Sequence, residues 1–443
     1  MIYSEAVLYS TATPNHAMTS PRNPRYGTLD AWRGLACLLV VMFHSVLGTA
    51  NRHEHFTSSS DGSIASSVLA VISTFWIGVP LFFVISGYCI AAAADSARRR
   101  PHSGVTFFAR RFRRIYPPLW AFLGITVVIH VVFSWVEAGT GVPLAISHRN
   151  PFDVSIWSWV GSITLTEEWR LHLIGPSRDY FQWLLWTLCY EEQFYFVTGV
   201  AVLLAPRRLF GIVAVVSVMV FLILIDFIRL PFAIDGFFFD GSWLEFAAGV
   251  CVYYRRNYAS RFASRLIDIG LLAATVWAAR AVPDSAAFKQ SIPAHLTIAF
   301  AAAFLFGLLQ GYDAVTVRWR ILLPLRWCGV RCFSLYLVHG PAVYVTSRLL
   351  QHFGWTTPIE ILLGVVPVCV AVSLACGWLF HRFIESYFLN PALPTPATPI
   401  VEASAVSQIA NIDSTTHVSV ATRPTGEIWP SDRIANPSPI HSA

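Results

Sequence analysis

Two ionisable residues in the first apolar segment could carry out chemistry inside a membrane. Arg33 and His44 stand eleven residues apart in "LDAWRGLACLLVVMFH". Eleven residues are close to three helical turns, so both side chains face one side, about 16 Å apart along the axis. An imidazole can act as a general base, and a guanidinium can bind an anion. The alternative is that Arg33 is an interfacial anchor and His44 a packing histidine.

A second candidate group is the adjacent pair Glu191 and Glu192 in "WTLCYEEQFYF". A charged group inside a membrane span costs roughly 2.5–3.5 kcal/mol on insertion scales, so it is a functional candidate. Adjacent positions differ by about 100° around a helix, so one carboxylate at most points into a shared cavity and the other needs a separate partner. The alternative is that one or both pair with Arg or Tyr only to hold helices together.

A third candidate group is a cluster of arginines ahead of two prolines in "FFARRFRRIYPPLW". Because proline is well tolerated at a helix start, the sequence predicts that the third membrane helix opens there. The arginines would then lie at the positive end of its dipole and form a phosphate site. The alternative is a topology signal that contacts lipid headgroups. The cluster comprises Arg110, Arg111, Arg113 and Arg114, ahead of Pro117 and Pro118.

The composition places these residues in a multi-span membrane protein. Of 443 residues, 55% are hydrophobic and 13% charged, with a mean hydropathy of +0.56. Soluble proteins carry about 25% charged residues. The net charge of +6 is distributed in short clusters between apolar runs, so nucleic-acid binding is not expected. The eight cysteines form no CxxC pair, so neither a disulfide framework nor a metal site is expected.

Apolar runs predict an all-α bundle of about ten membrane helices with both termini in the cytoplasm. Residues 152–166 are predicted to form an interfacial or re-entrant segment within an outer loop, 137–183. Basic residues then concentrate in inner loops, with seven of them in 94–115. The predicted helices lie near 31–49, 68–93, 116–136, 184–205, 209–228, 241–254, 266–282, 293–311, 329–350 and 359–382.

The membrane domain is expected to occupy residues 28–389. Residues 1–27 and the Pro/Ser/Thr-rich residues 390–443 are predicted to be disordered. The first segment lacks the apolar core of a cleaved signal peptide, so the first helix is expected to remain in the mature protein. Any chemistry is therefore expected in or at the membrane.

Together the motifs resemble the membrane acyltransferase-3 family, whose members acylate sugars and other acceptors at bacterial membranes. Its Arg-x10-His, FFxxSG, R-x-x-R, W-S-L-x-x-E-E-x-F-Y and S-x-Y-L-x-H elements appear in order over 28–389. Thr187 replaces the serine of the fourth element, and Tyr387 stands where the family's closing motif usually has proline. The matching residues include Arg33, His44, Phe82, Phe83, Ser86, Gly87, Arg111, Arg114, Trp186, Glu191, Glu192, Tyr195, Ser334, Tyr336 and His339.

The resemblance implies transfer of an acyl group, commonly acetyl, from cytoplasmic acyl-CoA to a hydroxyl of a sugar-containing acceptor. Such an acceptor is a surface polysaccharide, a lipid-linked glycan or a glycosylated small molecule. The expected location is a bacterial inner membrane, with the lipid bilayer, acyl-CoA and the carbohydrate acceptor as partners. Acyl-CoA, with acetyl-CoA as the simplest case, is expected as a co-substrate, with no tightly bound cofactor and no metal.

Site roles follow from the residues and the resemblance together. We expect His44 to be the base, with Glu191 orienting its imidazole or binding the acceptor. The alternative function is a proton-coupled secondary transporter that uses buried Glu and His, although the halves show no internal repeat. The expected catalytic residues are His44, Glu191 and Glu192. The expected binding residues are Arg33, Ser86, Arg110, Arg111, Arg113, Arg114, Trp186, Tyr195 and His339.

Overall fold

The structure is a computed structural model that describes residues 26–49, 63–99, 103–140, 150–174, 181–231, 236–237, 240–282 and 291–389. In these ranges the chain forms helices joined by turns and contains no strand, which confirms the all-α prediction. Residues 1–25 and 390–443, predicted to be disordered, lie outside the described ranges. Tyr26 is buried, and the Gly27 amide donates to Oδ2 of Asp313 at 2.8 Å.

Fifteen helical segments succeed one another along the described ranges. The first half contains α1 Leu29–Leu47, α2 Ile64–Ile72, α3 Gly78–Ala97, α4 Ser103–Thr140, α5 Ile156–Thr164, α6 Glu167–Ile174 and α7 Trp186–Leu204. The second half contains α8 Leu209–Leu224, α9 Ser242–Asn257, α10 Arg261–Arg280, α11 Ile292–Leu309, α12 Asp313–Thr316, α13 Leu323–Val330, α14 Cys332–His352 and α15 Pro358–Phe388. Helix α15 includes two π-helical turns, Ile361–Val365 and His381–Glu385.

Within the described ranges, seven helical segments are long and apolar enough to cross a membrane. An eighth is added if α13 and α14, bent by 74°, count as one span. Each of the ten predicted segments contains a helix, but two of these helices, α7 and α9, fail the test even when α13 and α14 are counted as one span. Helix α7 carries two glutamates and α9 has only 16 residues, most of them buried. Buried helices are shielded from lipid, so they need no apolar face all round. The count of ten spans and the side of each terminus stay predictions.

Close helix crossings position the interior residues. A Cβ atom on Gly87 of α3 would lie 2.0 Å from the Phe246 carbonyl oxygen of α9, and one on Gly249 would lie 1.9 Å from the Val84 carbonyl oxygen. Only glycine allows two backbones to approach this closely. Helix α3 also contacts α1, α4, α7 and α11. Ser86, next to Gly87, is therefore fixed in the interior of the bundle.

Helix α4 continues through both prolines, so the prediction that it opens at Pro117 is wrong. It begins at Ser103, and Arg110 lies about two turns inside it. An internal proline removes an amide hydrogen bond. Breaking the helix would expose more unsatisfied backbone groups to an apolar environment, so the helix continues. The arginine cluster consequently gains nothing from a helix N-terminus, and any phosphate site there depends on the guanidinium groups alone.

The segment 152–166, predicted to be interfacial or re-entrant, folds back along α4. Its helix α5 has nine residues, too few to cross a membrane. The indole nitrogen of Trp120 donates to the Ile163 carbonyl oxygen at 3.0 Å, and Oη of Tyr116 lies 3.3 Å from the Thr164 carbonyl oxygen. Trp120 is about 30 Å along the helix from its end at Thr140. The contact agrees with the re-entrant interpretation of this segment.

Candidate active site

His44 and His339 face each other across the α1–α14 contact. Nδ1 of His44 lies 3.0 Å from Nε2 of His339, and the rings stack with centroids 5.1 Å apart. His339 is 1% exposed, whereas His44 is only partly buried. The two residues come from separate motifs, and the structure brings them together.

The surroundings of His339 fix the direction of the hydrogen bond. Its Nδ1 lies 2.8 Å from the Tyr336 carbonyl oxygen and 3.1 Å from that of Leu335. Both are acceptors, so Nδ1 of His339 carries the proton and Nε2 is the acceptor of the neutral ring. His44 therefore donates from Nδ1, and its own Nε2 keeps an unshared electron pair. That nitrogen makes no hydrogen bond within the described ranges, and it can serve as a general base.

The turn before α7 forms one wall beside the histidines. The Trp183 ring packs edge-on against His44, with centroids 4.8 Å apart. Oη of Tyr336 accepts from Oγ1 of Thr187 at 2.9 Å and donates to the Leu184 carbonyl oxygen. These contacts fix the turn Trp183–Leu185 to α14.

Glu191 lies in a separate network. Its Oε1 accepts hydrogen bonds from Oγ of Ser86 at 3.1 Å and from Oη of Tyr195 at 2.7 Å. Tyr195 in turn accepts from Nη1 of Arg111 at 3.1 Å, and the guanidinium carbon lies 4.6 Å from its ring centroid. Among the described residues the hydrogen-bond partner of His44 is His339 and not Glu191, so of the two roles expected for Glu191, acceptor binding stays a prediction.

Glu192 points elsewhere, as the 100° offset between neighbours requires. Its Oε1 accepts from Oη of Tyr116 at 3.0 Å. Tyr116 also contacts α5 through the Thr164 carbonyl oxygen, so this pair joins α4, α5 and α7. The geometry fits a packing role for Glu192 and gives it no contact with His44 or His339 among the described residues.

The arginines of the predicted site differ in the hydrogen bonds and ion pairs that their guanidinium groups make. Arg33 donates to Oδ1 of Asp30 at 2.9 Å and to Sγ of Cys89 at 2.7 Å. Arg110 and Arg113 are exposed, and Arg113 donates to the Tyr387 carbonyl oxygen at 3.4 Å. Arg114 is half-buried and makes no hydrogen bond or ion pair within the described ranges. It is the predicted cation best placed to receive an anion.

Four residues spaced four positions apart connect the two ends of this site. Trp183 in the turn before α7 is followed by Thr187, Glu191 and Tyr195 within α7, and this row spans about 18 Å along the axis while turning by about 120° around it. The row begins beside His44 and ends at Arg111. Trp186, expected to bind substrate, lies outside the row and packs against Phe83 and Tyr190.

Sequence reasoning missed Trp183, Thr187 and Tyr116 as site residues. The four-residue period of Trp183, Thr187, Glu191 and Tyr195 was the signal for the first two. No signal in the sequence identifies Tyr116. The described residues contain no group of three His, Cys, Asp or Glu side chains arranged to hold a metal ion.

The comparison with known families decides the assignment. A family model described as an acyltransferase domain matches residues 26–382, a range that contains every candidate residue above. The chain belongs to the membrane acyltransferase-3 family. With its apolar spans, this acyltransferase-3 chain is a multi-pass integral membrane protein.

Three relatives illustrate the range of acyltransferase-3 proteins that it resembles. It is 26% identical to YrhL of Bacillus subtilis (strain 168), provisionally named a peptidoglycan O-acetyltransferase, over 81% of this chain and 61% of YrhL. It is 26% identical to BcsY of Komagataeibacter xylinus, provisionally named a membrane-bound transacylase, over 82% of this chain and 83% of BcsY. It is 25% identical to the peptidoglycan O-acetyltransferase OatA of Listeria monocytogenes serovar 1/2a (strain ATCC BAA-679 / EGD-e), over 76% of this chain and 56% of OatA.

The chain matches about three fifths or less of the length of YrhL and OatA. No solved structure matches it.

Proposed function

We propose that this protein is a membrane O-acyltransferase that moves an acyl group, acetyl in the simplest case, from acyl-CoA to a carbohydrate hydroxyl. The observation that carries the proposal is the directed hydrogen bond from His44 to His339, which leaves Nε2 of His44 as an available base. The names of YrhL and OatA favour a glycan such as peptidoglycan as the acceptor.

The proposed reaction needs one proton acceptor near the acceptor hydroxyl. The hydroxyl gives its proton to Nε2 of His44 while its oxygen forms a bond to the thioester carbonyl carbon. The carbon–sulfur bond then breaks, and the imidazolium returns the proton to the leaving CoA thiolate. The products are an ester and the CoA thiol. His339 holds the His44 ring in the required tautomer and stabilises the charge that develops on it, the role of the third member of a catalytic triad.

The opposite end of the α7 row is suited to the donor. Coenzyme A carries phosphate groups at one end of a long, thin arm and the thioester at the other. Arg111 and Arg114 offer guanidinium groups, which bind phosphate through charge-assisted hydrogen bonds. The residues that contact His44 and Arg111, Trp183 and Tyr195, are about 18 Å apart along the helix axis, and we infer that the arm lies between them.

The test uses purified protein in lipid nanodiscs with radiolabelled acetyl-CoA and solubilised muropeptides. We expect thioester loss and ester formation in equal amounts. Movement of solute across proteoliposomes without thioester loss would instead identify a transporter. Mass comparison of glycan and lipid extracts from strains with and without the protein then identifies the acceptor.

A further inference from the structure

Arg256 is a half-buried cation with no ionic partner among the described residues. It lies in the last turn of α9, where its guanidinium carbon is 5.9 Å from the ring centroid of Tyr26. Within the described ranges Arg256 makes no hydrogen bond and no ion pair. A partly desolvated guanidinium binds strongly to an anion because burial weakens competition from water.

Tyr26 adds a hydroxyl for which no described residue offers a well-formed hydrogen bond. The residue is 5% exposed, and its Oη is buried without a hydrogen-bond partner. Its ring is held by Tyr88 and Phe306, with centroids 6.0 Å and 6.5 Å away. A buried hydroxyl without a hydrogen-bond partner destabilises the fold unless a ligand or a water molecule forms a hydrogen bond with it. Nε2 of Gln310, one turn beyond Phe306, is likewise buried and unpartnered.

The nearby carboxylates are already used by other groups. Asp313 accepts from the amides of Gly27 and Thr28 at 2.8 Å and 2.9 Å. Asp268 holds Arg255 through both of its oxygens, at 2.7 Å and 2.8 Å. The side chain of Arg256 therefore remains available for an anion that comes from outside the described chain.

We propose that Arg256 and the Tyr26 hydroxyl bind a phosphate group at the end of the bundle where α1 begins. Helix α3 links this site to Arg33. Its Tyr88 contacts Tyr26, and the next residue, Cys89, accepts a hydrogen bond from Arg33. The phosphate is either that of the CoA-type donor or that of an anionic lipid headgroup. The donor assignment rests on the proposed function; the phosphate site itself does not.

This site is separate from the arginine cluster of α4. It is built from the segment before α1, from α9 and from the end of α11, whereas Arg111 and Arg114 lie beside α7. Coenzyme A carries a diphosphate and a separate 3′-phosphate, so one donor can engage cations at two places. The two sites can therefore act on different phosphate groups of the same molecule.

The donor arm of the test compares Arg256→Gln with the parent on three donors. These are acetyl-CoA, acetyl-dephospho-CoA, which lacks the 3′-phosphate, and S-acetylpantetheine, which carries no phosphate group. We expect KM for acetyl-CoA to rise about tenfold with kcat nearly unchanged, as loss of one charge-assisted hydrogen bond predicts. The difference in KM between the parent and Arg256→Gln should vanish with S-acetylpantetheine. Tyr26→Phe should show a smaller change in the same direction.

The lipid arm repeats the assay in nanodiscs with and without phosphatidylglycerol. A defect of Arg256→Gln that needs the anionic lipid and is equal for all donors assigns the phosphate to a headgroup. Arg261→Gln is the matched control, because Arg261 is exposed at the start of the next helix. It should behave as the parent in both arms.

Binding of adenosine 3′,5′-bisphosphate and of phosphatidylglycerol to the solubilised protein provides a readout that needs no turnover. If the parent has no acetyl-CoA activity, the proposed function fails, and weaker binding of either probe by Arg256→Gln still supports the phosphate site. The proposed phosphate site is overturned if the parent and Arg256→Gln bind both probes equally and, where activity is present, also have equal KM values.

Discussion

Nδ1 of His44 donates to Nε2 of His339 over 3.0 Å, although 295 positions separate the two residues in the chain. The carbonyl oxygens of Leu335 and Tyr336 occupy the other nitrogen of His339 and so fix the direction of the bond. His339 was expected to bind substrate, and that prediction remains untested. From its contact with His44 we propose a positioning role.

Replacing His339 should impair the chemical step more than donor binding. His339→Ala removes the acceptor that holds the His44 ring, so we expect kcat to fall about 10- to 100-fold with little change in the KM for acetyl-CoA. His339→Gln can still accept a hydrogen bond from His44, and it should recover part of the rate. Steady-state kinetics at equal amounts of folded protein test this. Equal rates for the alanine and glutamine variants would contradict a positioning role.

Arg114 should contribute more to donor binding than its exposed neighbour Arg110. Arg114→Gln removes a half-buried cation with no other partner within the described ranges, so the KM for acetyl-CoA should rise about tenfold or more. Arg110→Gln is the matched control, and its KM should stay close to the parent value. Initial rates over a range of acetyl-CoA concentrations measure both. If the two variants gave the same KM, the cluster would act only as an orientation signal.

The two adjacent glutamates should differ although both were expected to be catalytic. Glu191→Gln removes the charge that accepts from Ser86 and Tyr195 and leaves Arg111 less well placed, so we expect thermal stability to fall and the KM for acetyl-CoA to rise. Glu192→Gln keeps an oxygen that can accept from Tyr116, so its rate should stay near that of the parent. Thermal inactivation and kinetics of both variants test the distinction. A large loss of kcat in Glu192→Gln would restore it as a catalytic candidate.

The sidedness of the bundle determines how donor and acceptor meet. In a background without native thiols that still performs acyl transfer, cysteines at positions 102 and 260 should react with an impermeant reagent only from the cytoplasm. A cysteine at 148 should react only from outside. If 148 and 260 reacted from the same side, the segment 152–166 would cross the membrane and the topology would be wrong.

Local sequence patterns predicted the helices well because each depends on residues close together in the chain. All ten predicted spans contain a helix, and the short apolar run 152–166 forms a helix of only nine residues, Ile156–Thr164. The start of α4 could not be predicted in the same way. Proline chemistry favours a helix boundary at Pro117, whereas the apolar surroundings favour an unbroken helix, and only the folded chain shows which effect is larger.

The candidate site was predictable residue by residue, but its contacts were not. His44, Glu191 and His339 were each identified from their motifs, and the offset of Glu191 from Glu192 followed from helix geometry. The pairing of His44 with His339 depends on how α1 packs against α14, which no short pattern encodes. Arg256 belongs to none of the motifs, and only the structure shows that it makes no hydrogen bond or ion pair with another described residue.

In the proposed reaction His44 removes the proton of the acceptor hydroxyl. This role is tested by ester formation from acetyl-CoA by His44→Ala and parent protein in nanodiscs, at equal amounts of folded protein and with acetyl-CoA binding measured in parallel. We expect ester formation to fall by about 100-fold or more, as loss of a general base requires, while acetyl-CoA binding is retained. Ester formation near the parent rate by His44→Ala would contradict this role.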